Sequence, residues 1–252
     1  MSRAPQRVLI TGASRGIGQA CAVAFARDGA SVAINHPGDD EGARETERLV
    51  REAGGRPVLL PGDVSSSDDV DGMLVEIRAA FGGIDVVVLN AGICPWQDFW
   101  DIGRDDWEHV LAVNLTGQFL IAQSFGREMV DAGKGGRIIS VASLNAHVAG
   151  AKQAHYAASK GGVVAFIKTL AVILGPHGIT CNSVSPGPIA TQINQYQGIP
   201  GRQDYLEQQI PVRRIGQPVD VAEVVRSIAS PTWSFVTGAD FVVDGGIRVN
   251  PL

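Results

Sequence analysis

The sequence predicts an α/β fold: a doubly wound parallel sheet of about seven strands with helices on both faces. Three observations predict it. Short, β-rich apolar runs alternate along the chain with longer segments of helical spacing. Several of the short runs are continuously apolar, as strands covered on both faces are. The first of them runs straight into a glycine-spaced loop and then a helix. A strand-helix-strand repeat closes by right-handed crossovers, which makes the strands parallel.

In chain order, Arg7 to Ile10 opens the sheet and Gly16 to Asp28 is the first helix. Ser31 to Ile34 is the second strand, and Asp39 to Ala53 a helix charged on one side. Pro57 to Leu60 follows, then Ser67 to Phe81, whose Ser-Asp-Asp opening is a helix start signal. Asp85 to Leu89 precedes a long, mostly apolar helix from Asp105 to Asp131. Arg137 to Val141, the apolar helix Ala154 to Leu174, and Ile179 to Val184 come next. From about 187 to 219 no periodicity is visible, and a loop of that length beside the sheet's C-terminal edge reads as a substrate lid. The short helix Val219 to Ala229 and the strand Asp240 to Val243 finish the pattern. No linker, repeat or biased tract interrupts it, so residues 1–252 read as a single domain.

Composition excludes several classes. The 252 residues are 45% hydrophobic and 19% charged, enough apolar content to outweigh chain-ordering entropy, so wholesale disorder is excluded. Twenty-one basic against 26 acidic residues, a net charge of −5, argue against a nucleic-acid partner, which needs a cationic excess. No run suggests a membrane span of about 20 apolar residues. Met1 to Arg7 carries charge without an apolar leader core, so the expected compartment is the cytoplasm. Cys21, Cys94 and Cys181 are odd in number and lack metal-ligand spacing; they read as small buried residues, and no metal is expected. The 31 glycines stand singly or in pairs between apolar runs, marking turns and close backbone approaches.

The glycine loop carries the first chemistry. Thr11-Gly12-Ala13-Ser14-Arg15-Gly16-Ile17-Gly18 lies between the first strand and the first helix. Gly12 lets the chain turn, Gly16 lets backbone approach a pyrophosphate, and Gly18 lets the helix pack on the sheet. The phosphates belong at the helix N-terminus, where free N–H groups and the macrodipole favour anions. The second strand ends in Asn35-His36-Pro37, with no acid before Asp39 to bind a ribose 2′-hydroxyl. Arg15 is placed to pair with a 2′-phosphate, and His36 lies nearby. NADP is the expected cofactor, with NAD also usable. Asp63 and Val64 after the third strand suit an adenine, and the small residues of Asn90-Ala91-Gly92 after the fourth admit a ribose.

The second constellation is Tyr156-Ala157-Ala158-Ser159-Lys160. Positions i and i+4 share a helix face, so the phenol and the ammonium project together. A phenol with a pKa of about 10 is a poor base, and an adjacent cation favours its ionised form. Ser143, after the fifth strand, is placed to hold a substrate oxygen beside the phenol. Asn114 sits within an apolar helix, where a buried amide needs a partner; a water relay to Lys160 supplies one.

Together these motifs resemble the short-chain dehydrogenase/reductase family. The resemblance extends through Pro186-Gly187-Pro188-Ile189-Ala190-Thr191 and the C-terminal Thr237-Gly238 and Val243-Asp244-Gly245-Gly246, and so covers essentially the whole chain. It implies a Rossmann fold and hydride transfer between a carbinol or carbonyl carbon and nicotinamide. It also implies roles: Tyr156 as general acid/base, Ser143 orienting substrate, Lys160 on the nicotinamide ribose, Asn114 in a proton relay, and Ile189 and Thr191 on the carboxamide. Leu89 departs from the family, which often has another Asn there.

The substrate is read from Trp96, Phe99, Asn145, His147, Gln153, His155 and Asn194, a mixture of rings and neutral hydrogen-bonding groups that suits a sugar. Asn145, Gln153, His155 and Asn194 resemble the polar pocket of bacterial sugar 1-dehydrogenases, the L-rhamnose type in particular. A 3-oxoacyl-thioester or other ketone reductase is the alternative, and a nucleotide-sensing scaffold the non-enzymatic one. The two long apolar helices imply a homotetramer.

Overall fold

The computed structural model describes residues 6–148, 150–193 and 201–250. β1 (Arg7–Ile10), β2 (Ser31–His36), β3 (Arg56–Pro61), β4 (Val86–Leu89), β5 (Gly136–Val141), β6 (Ile179–Pro186) and β7 (Asp240–Val243) form one sheet, ordered β3-β2-β1-β4-β5-β6-β7. Every neighbouring pair is parallel. Strand order reverses between β1 and β4, so a crevice opens beyond their C-terminal ends. The predicted Rossmann arrangement is the one observed.

The sheet is buried on both faces because Val8 to Ile10 of β1, Val32 to Ile34 of β2 and all of β4 are apolar at consecutive positions. Val8 and Ile10 point to one side, with Val32, Ile34, Val86 and Val88, under α1 (Gly16–Ala26), α2 (Asp40–Glu52) and, towards its other end, α8 (Pro218–Ile228). Leu9 points to the other, with Val87 and Leu89, under α3 (Ser67–Phe81), α5 (Gly117–Ala132) and α6 (Ala154–Leu174). This two-residue alternation buries both sets of side chains at once.

Three expectations need correction. The helix expected from Asp105 to Asp131 runs unbroken, but changes winding within it: α4 (Arg104–Leu111) passes through a π-helical turn (Ala112–Thr116) into α5. The wide turn is centred on the buried polar Asn114, whose partners lie elsewhere in the fold. The aperiodic stretch from 187 to 219 contains α7 (Arg202–Gln209), whose sequence RQDYLEQQ offers too few apolar positions to show a period. Finally, α6 with its following turn spans 24 residues at a mean hydropathy of 1.6, long and apolar enough to cross a membrane by composition. In the fold, Ser159, Lys160, Val163, Ile167 and Leu170 pack it against the sheet side of the molecule.

Candidate active site

The glycine loop is built as a cradle. Gly12 and Gly16 have φ of 62° and 58°, which L side chains rarely adopt. A Cβ at Gly12 would stand 2.8 Å from Ala91 Cα, and one at Gly18 would stand 2.3 Å from the Gly12 carbonyl. Asn90 Nδ2 donates to the carbonyls of Thr11 and Gly12, both at 2.9 Å, so Asn90 fixes the loop itself. Asn35, which sequence reasoning passed over, accepts from Gly12 N at 3.3 Å and donates to Gly62 O at 2.9 Å. A buried amide at a strand end was the signal for it.

These residues fit a dinucleotide. The α2 and α3 helices are capped by the side chains of Asp39 and Ser66, whereas α1 has no side-chain cap and no acid in its first turn. Its N-terminal N–H groups and positive dipole end are left for an anion. At the end of β2, the buried His36 Nδ1 has no hydrogen-bond partner and lies 3.5 Å from an Asp40 carboxylate oxygen. Arg15 Nε donates to Asp39 at 2.8 Å and Nη1 to Gln192 at 2.5 Å, with Nη2 also on Asp39. Asp39 is held below the usual carboxylate range, first by Arg15 and then by the Ser14 hydroxyl. Thus the acid that sequence spacing put just past the site is joined to the cation expected to read a 2′-phosphate. Asp63 Oδ1 accepts from Ser65 N and Oγ, both at 2.8 Å, and Val64 packs against Gly117. Ile17 lies against the core, while Ile189 and the segment around Thr191 are pinned by pairing with Gly216.

Tyr156 and Lys160 face the same way on α6, with Lys160 Nζ 5.7 Å from the centre of the phenol ring. Nζ donates to Val141 O at 2.8 Å, where β5 ends. Ser143 stands close enough to the Tyr156 phenol to draw its pKa down, and its Oγ accepts from Asn145 N at 3.1 Å. Ser143, Asn114, Tyr156 and Lys160 are thus supplied by three places: the turn after β5, the π-helical turn, and α6 for the last two. Asn114 exchanges bonds with Ile93 (2.8 and 2.9 Å) and donates to Ser159 Oγ at 3.1 Å, so its direct partners are these and not Lys160. A Cβ at Gly92 would stand 3.2 Å from Asn114 Oδ1 and 3.5 Å from Lys160 Nζ. Glycine there lets the amide and the ammonium border the same space.

The electrostatics differ from the sequence expectation in one respect. Burial pushes the Tyr156 phenol up, and the influence that draws it down is Ser143 rather than Lys160. Lys160 is itself desolvated, which brings it from 10.5 down to about 8. An ammonium that loses water and is aimed at a carbonyl is a weak partner for a phenolate.

Of the residues read as substrate contacts, Asn145 and Gln153 come together: Asn145 Nδ2 donates to Gln153 Oε1 at 2.7 Å. Gln153 Nε2 then donates to Cys94 Sγ at 3.1 Å. Cys94, read from sequence as a structural thiol, belongs to this cluster, and burial pushes it up to about 11. Its place two residues past Gly92 was the available signal. Trp96 Nε1 is buried with no partner. His155 is fully buried and bonds Tyr156 N and Gln97. Phe99 is 63% exposed and stacks edge-on with Trp100, outside the cluster. His147 is turned away to Asp240 at 2.7 Å. Asn194 lies outside the described residues.

A family model described as enoyl-(acyl carrier protein) reductase matches residues 12–248. A short-chain type dehydrogenase/reductase from Mycobacterium marinum superposes with a TM-score of 0.91 at 38% identity, covering 97% of this chain and 96% of that one. The chain belongs to the short-chain dehydrogenase/reductase family. It is an oxidoreductase of that family, whose relatives are dehydrogenases acting on CH–OH groups. The L-rhamnose 1-dehydrogenase (NAD(P)(+)) of Azotobacter vinelandii is 40% identical over 247 residues, 96% of each chain. The 3beta-hydroxysteroid dehydrogenase 1 of Eggerthella lenta is 37% identical over 97% of this chain and 94% of its own.

Proposed function

We propose that this enzyme oxidises the anomeric carbinol of an aldose, L-rhamnose or a sugar like it, to a lactone, with NADP preferred and NAD usable. The 40% identity to an L-rhamnose 1-dehydrogenase, spread over 96% of both chains, carries this reading. The Asn145–Gln153 amide pair beside Ser143 and Tyr156 supports it, since sugar hydroxyls need neutral donors and acceptors.

The dinucleotide, when bound, supplies a hydride acceptor. Gly12, Ser14, Gly16, Ile17 and Gly18 hold its pyrophosphate on the α1 terminus. Arg15 and His36 flank the adenosine ribose, and Asp63, Val64, Asn90, Ala91 and Gly92 the adenosine. Tyr156 and Lys160 hold the nicotinamide ribose, and Ile189 and Thr191 the carboxamide. Tyr156 Oη takes the proton of the anomeric hydroxyl, Ser143 Oγ keeps that hydroxyl in place, and Lys160 with Asn114 passes the proton onward. Asn145, Gln153 and Trp96 read the ring hydroxyls, and the 187–219 segment covers them. Because burial holds the phenol protonated at neutrality, oxidation accelerates as pH rises, which a pH–rate profile reads directly.

Arg15 and Asp39 set cofactor choice. Arg15→Ala should lower kcat/KM for NADP about 10–100-fold, the worth of charge-assisted bonds to a phosphate, and leave NAD within about twofold. Asp39→Asn frees Arg15 and shifts preference further towards NADP. Paired kinetics with both nucleotides check this.

Three cysteines kept as free thiols suit a cytoplasmic enzyme. Phe119 (42% exposed) on α5 and Val172 (77%) and Ile173 (57%) on α6 form apolar surface that a homotetramer covers. Sedimentation reads the mass.

The alternative, a ketone or 3-oxoacyl-thioester reductase, is favoured by the steroid dehydrogenase relative and by the family description. Initial rates on free aldoses, a hydroxysteroid and a β-ketoacyl thioester, with both nucleotides, separate the two. Fastest turnover of an aldose supports the proposal; fastest reduction of a thioester or ketone overturns it.

Asn114→Ala should destabilise the fold by about 2–4 kcal/mol, because it strands the half-buried N–H and C=O of Ile93 and removes the buried bond to Ser159. A lowered urea midpoint with an unchanged slope reads this.

A further inference from the structure

We propose that His155 is a positioning residue for Tyr156, holding the catalytic tyrosine's backbone in the first turn of α6 and tying that turn to the loop after β4. The proposal rests on the reading of Tyr156 as the proton carrier. The first N–H groups of a helix have no intrahelical acceptor and need one from elsewhere. The N-cap residue of α6, Gln153, makes no side-chain cap. Its amide is already engaged, by Asn145 Nδ2 at 2.7 Å and Cys94 Sγ at 3.1 Å. The residue that meets the need is His155, whose Nδ1 accepts from Tyr156 N at 2.9 Å.

That bond determines the rest of the ring. A nitrogen that accepts carries no proton, so the imidazole is the neutral Nε2–H tautomer. Nε2 then donates to Gln97 Oε1 at 3.1 Å. Gln97 N in turn donates to Lys152 O at 3.0 Å, so the loop after β4 is bonded to the α6 entrance at two points. The ring is 0% exposed, and burial lowers its pKa against the weaker opposing influence of Asp106, which keeps it neutral. Both nitrogens are committed inside the protein. His155 therefore acts through Tyr156 and not by touching the sugar, which revises the substrate-contact role expected from sequence.

The consequence is kinetic. Without His155, the Tyr156 N–H loses its acceptor and the loop loses its tie, and small displacements of a proton-transfer group cost rate out of proportion to stability. His155→Ala should lower kcat about 10–100-fold and leave the KM for nucleotide within about twofold. His155→Asn restores a carbonyl able to accept from a neighbouring backbone N–H, and should recover kcat to within about fivefold of the parent. Unchanged kcat in His155→Ala, or loss of nucleotide affinity in step with kcat, overturns the proposal. So does failure of Asn to outperform Ala. A measurement on the unmutated enzyme guards against a variant that fails to fold: imidazole ¹⁵N shifts should report a protonated Nε2 and an accepting Nδ1. A protonated Nδ1 overturns the proposal whatever the substrate. Kinetics use whichever carbinol the rate panel selects, so a different substrate leaves this test intact, whereas full activity in Tyr156→Phe removes the reading beneath it.

Discussion

Tyr156→Phe is expected to lower kcat by about 10²–10⁴-fold while weakening nucleotide binding by no more than the loss of one ribose hydrogen bond, about tenfold. The substitution removes one oxygen and little else. The ring stays packed, Lys160 keeps its bond to Val141, and the glycine cradle lies on other elements. What is lost is the hydroxyl beside Ser143, the group proposed to take a carbinol proton. Turnover on the best substrate and a fluorescence titration with reduced nucleotide check the two halves. Equal losses of kcat and of affinity would make Tyr156 a binding residue only.

Lys160→Met is expected to abolish useful turnover and yet stabilise the fold near pH 7. The folded pKa of Lys160, about 8, lies below its ordinary value of 10.5. A depressed lysine costs stability wherever the unfolded chain would carry the proton. The cost is absent above 10.5, grows as pH falls, and is full below about 8. Its size is on the order of 3 kcal/mol. Methionine removes that cost and fills similar volume, but strands the Val141 carbonyl, which returns about 1–3 kcal/mol. The net gain near neutrality should raise Tm by roughly 2–5 °C. The gain should shrink with rising pH and reverse near 10.5, where only the lost hydrogen bond remains. Thermal melts of both proteins across that range check the sign. A variant less stable than the parent at pH 7, with no pH trend, contradicts the desolvation argument.

How much was legible in the sequence follows from the range of the forces involved. β1 and β7 were readable to the residue because continuous apolar runs bounded by turns need no distant information. The bounds of α3 were readable too, from its Ser67-Asp68-Asp69 opening, although the side chain that caps it is Ser66. The long helix was foreseen, but the π-helical turn inside it was not readable, since that turn answers to Ile93 and Ser159, far from Asn114 in sequence. In the site, the glycine loop and the Tyr156/Lys160 pair are local spacings and were visible. Long-range partners were not. Asp39 on Arg15, Asp240 on His147 and Gln97 on His155 are tertiary pairings that change what each side chain is free to do. The sign of the Tyr156 shift was missed for a related reason: burial, which no spacing reveals, outweighs the Ser143 hydroxyl that draws the phenol down.

The most direct test of the account follows one hydrogen. L-Rhamnose deuterated at C1 is incubated with enzyme and oxidised nucleotide, and the products are read by mass spectrometry and NMR. The account predicts deuterium on the nicotinamide ring of the reduced nucleotide, a lactone as the sugar product, and slower turnover than with the unlabelled sugar. Deuterium remaining on the sugar while nucleotide is reduced, or no reduction with any C1-hydroxyl sugar, would contradict it.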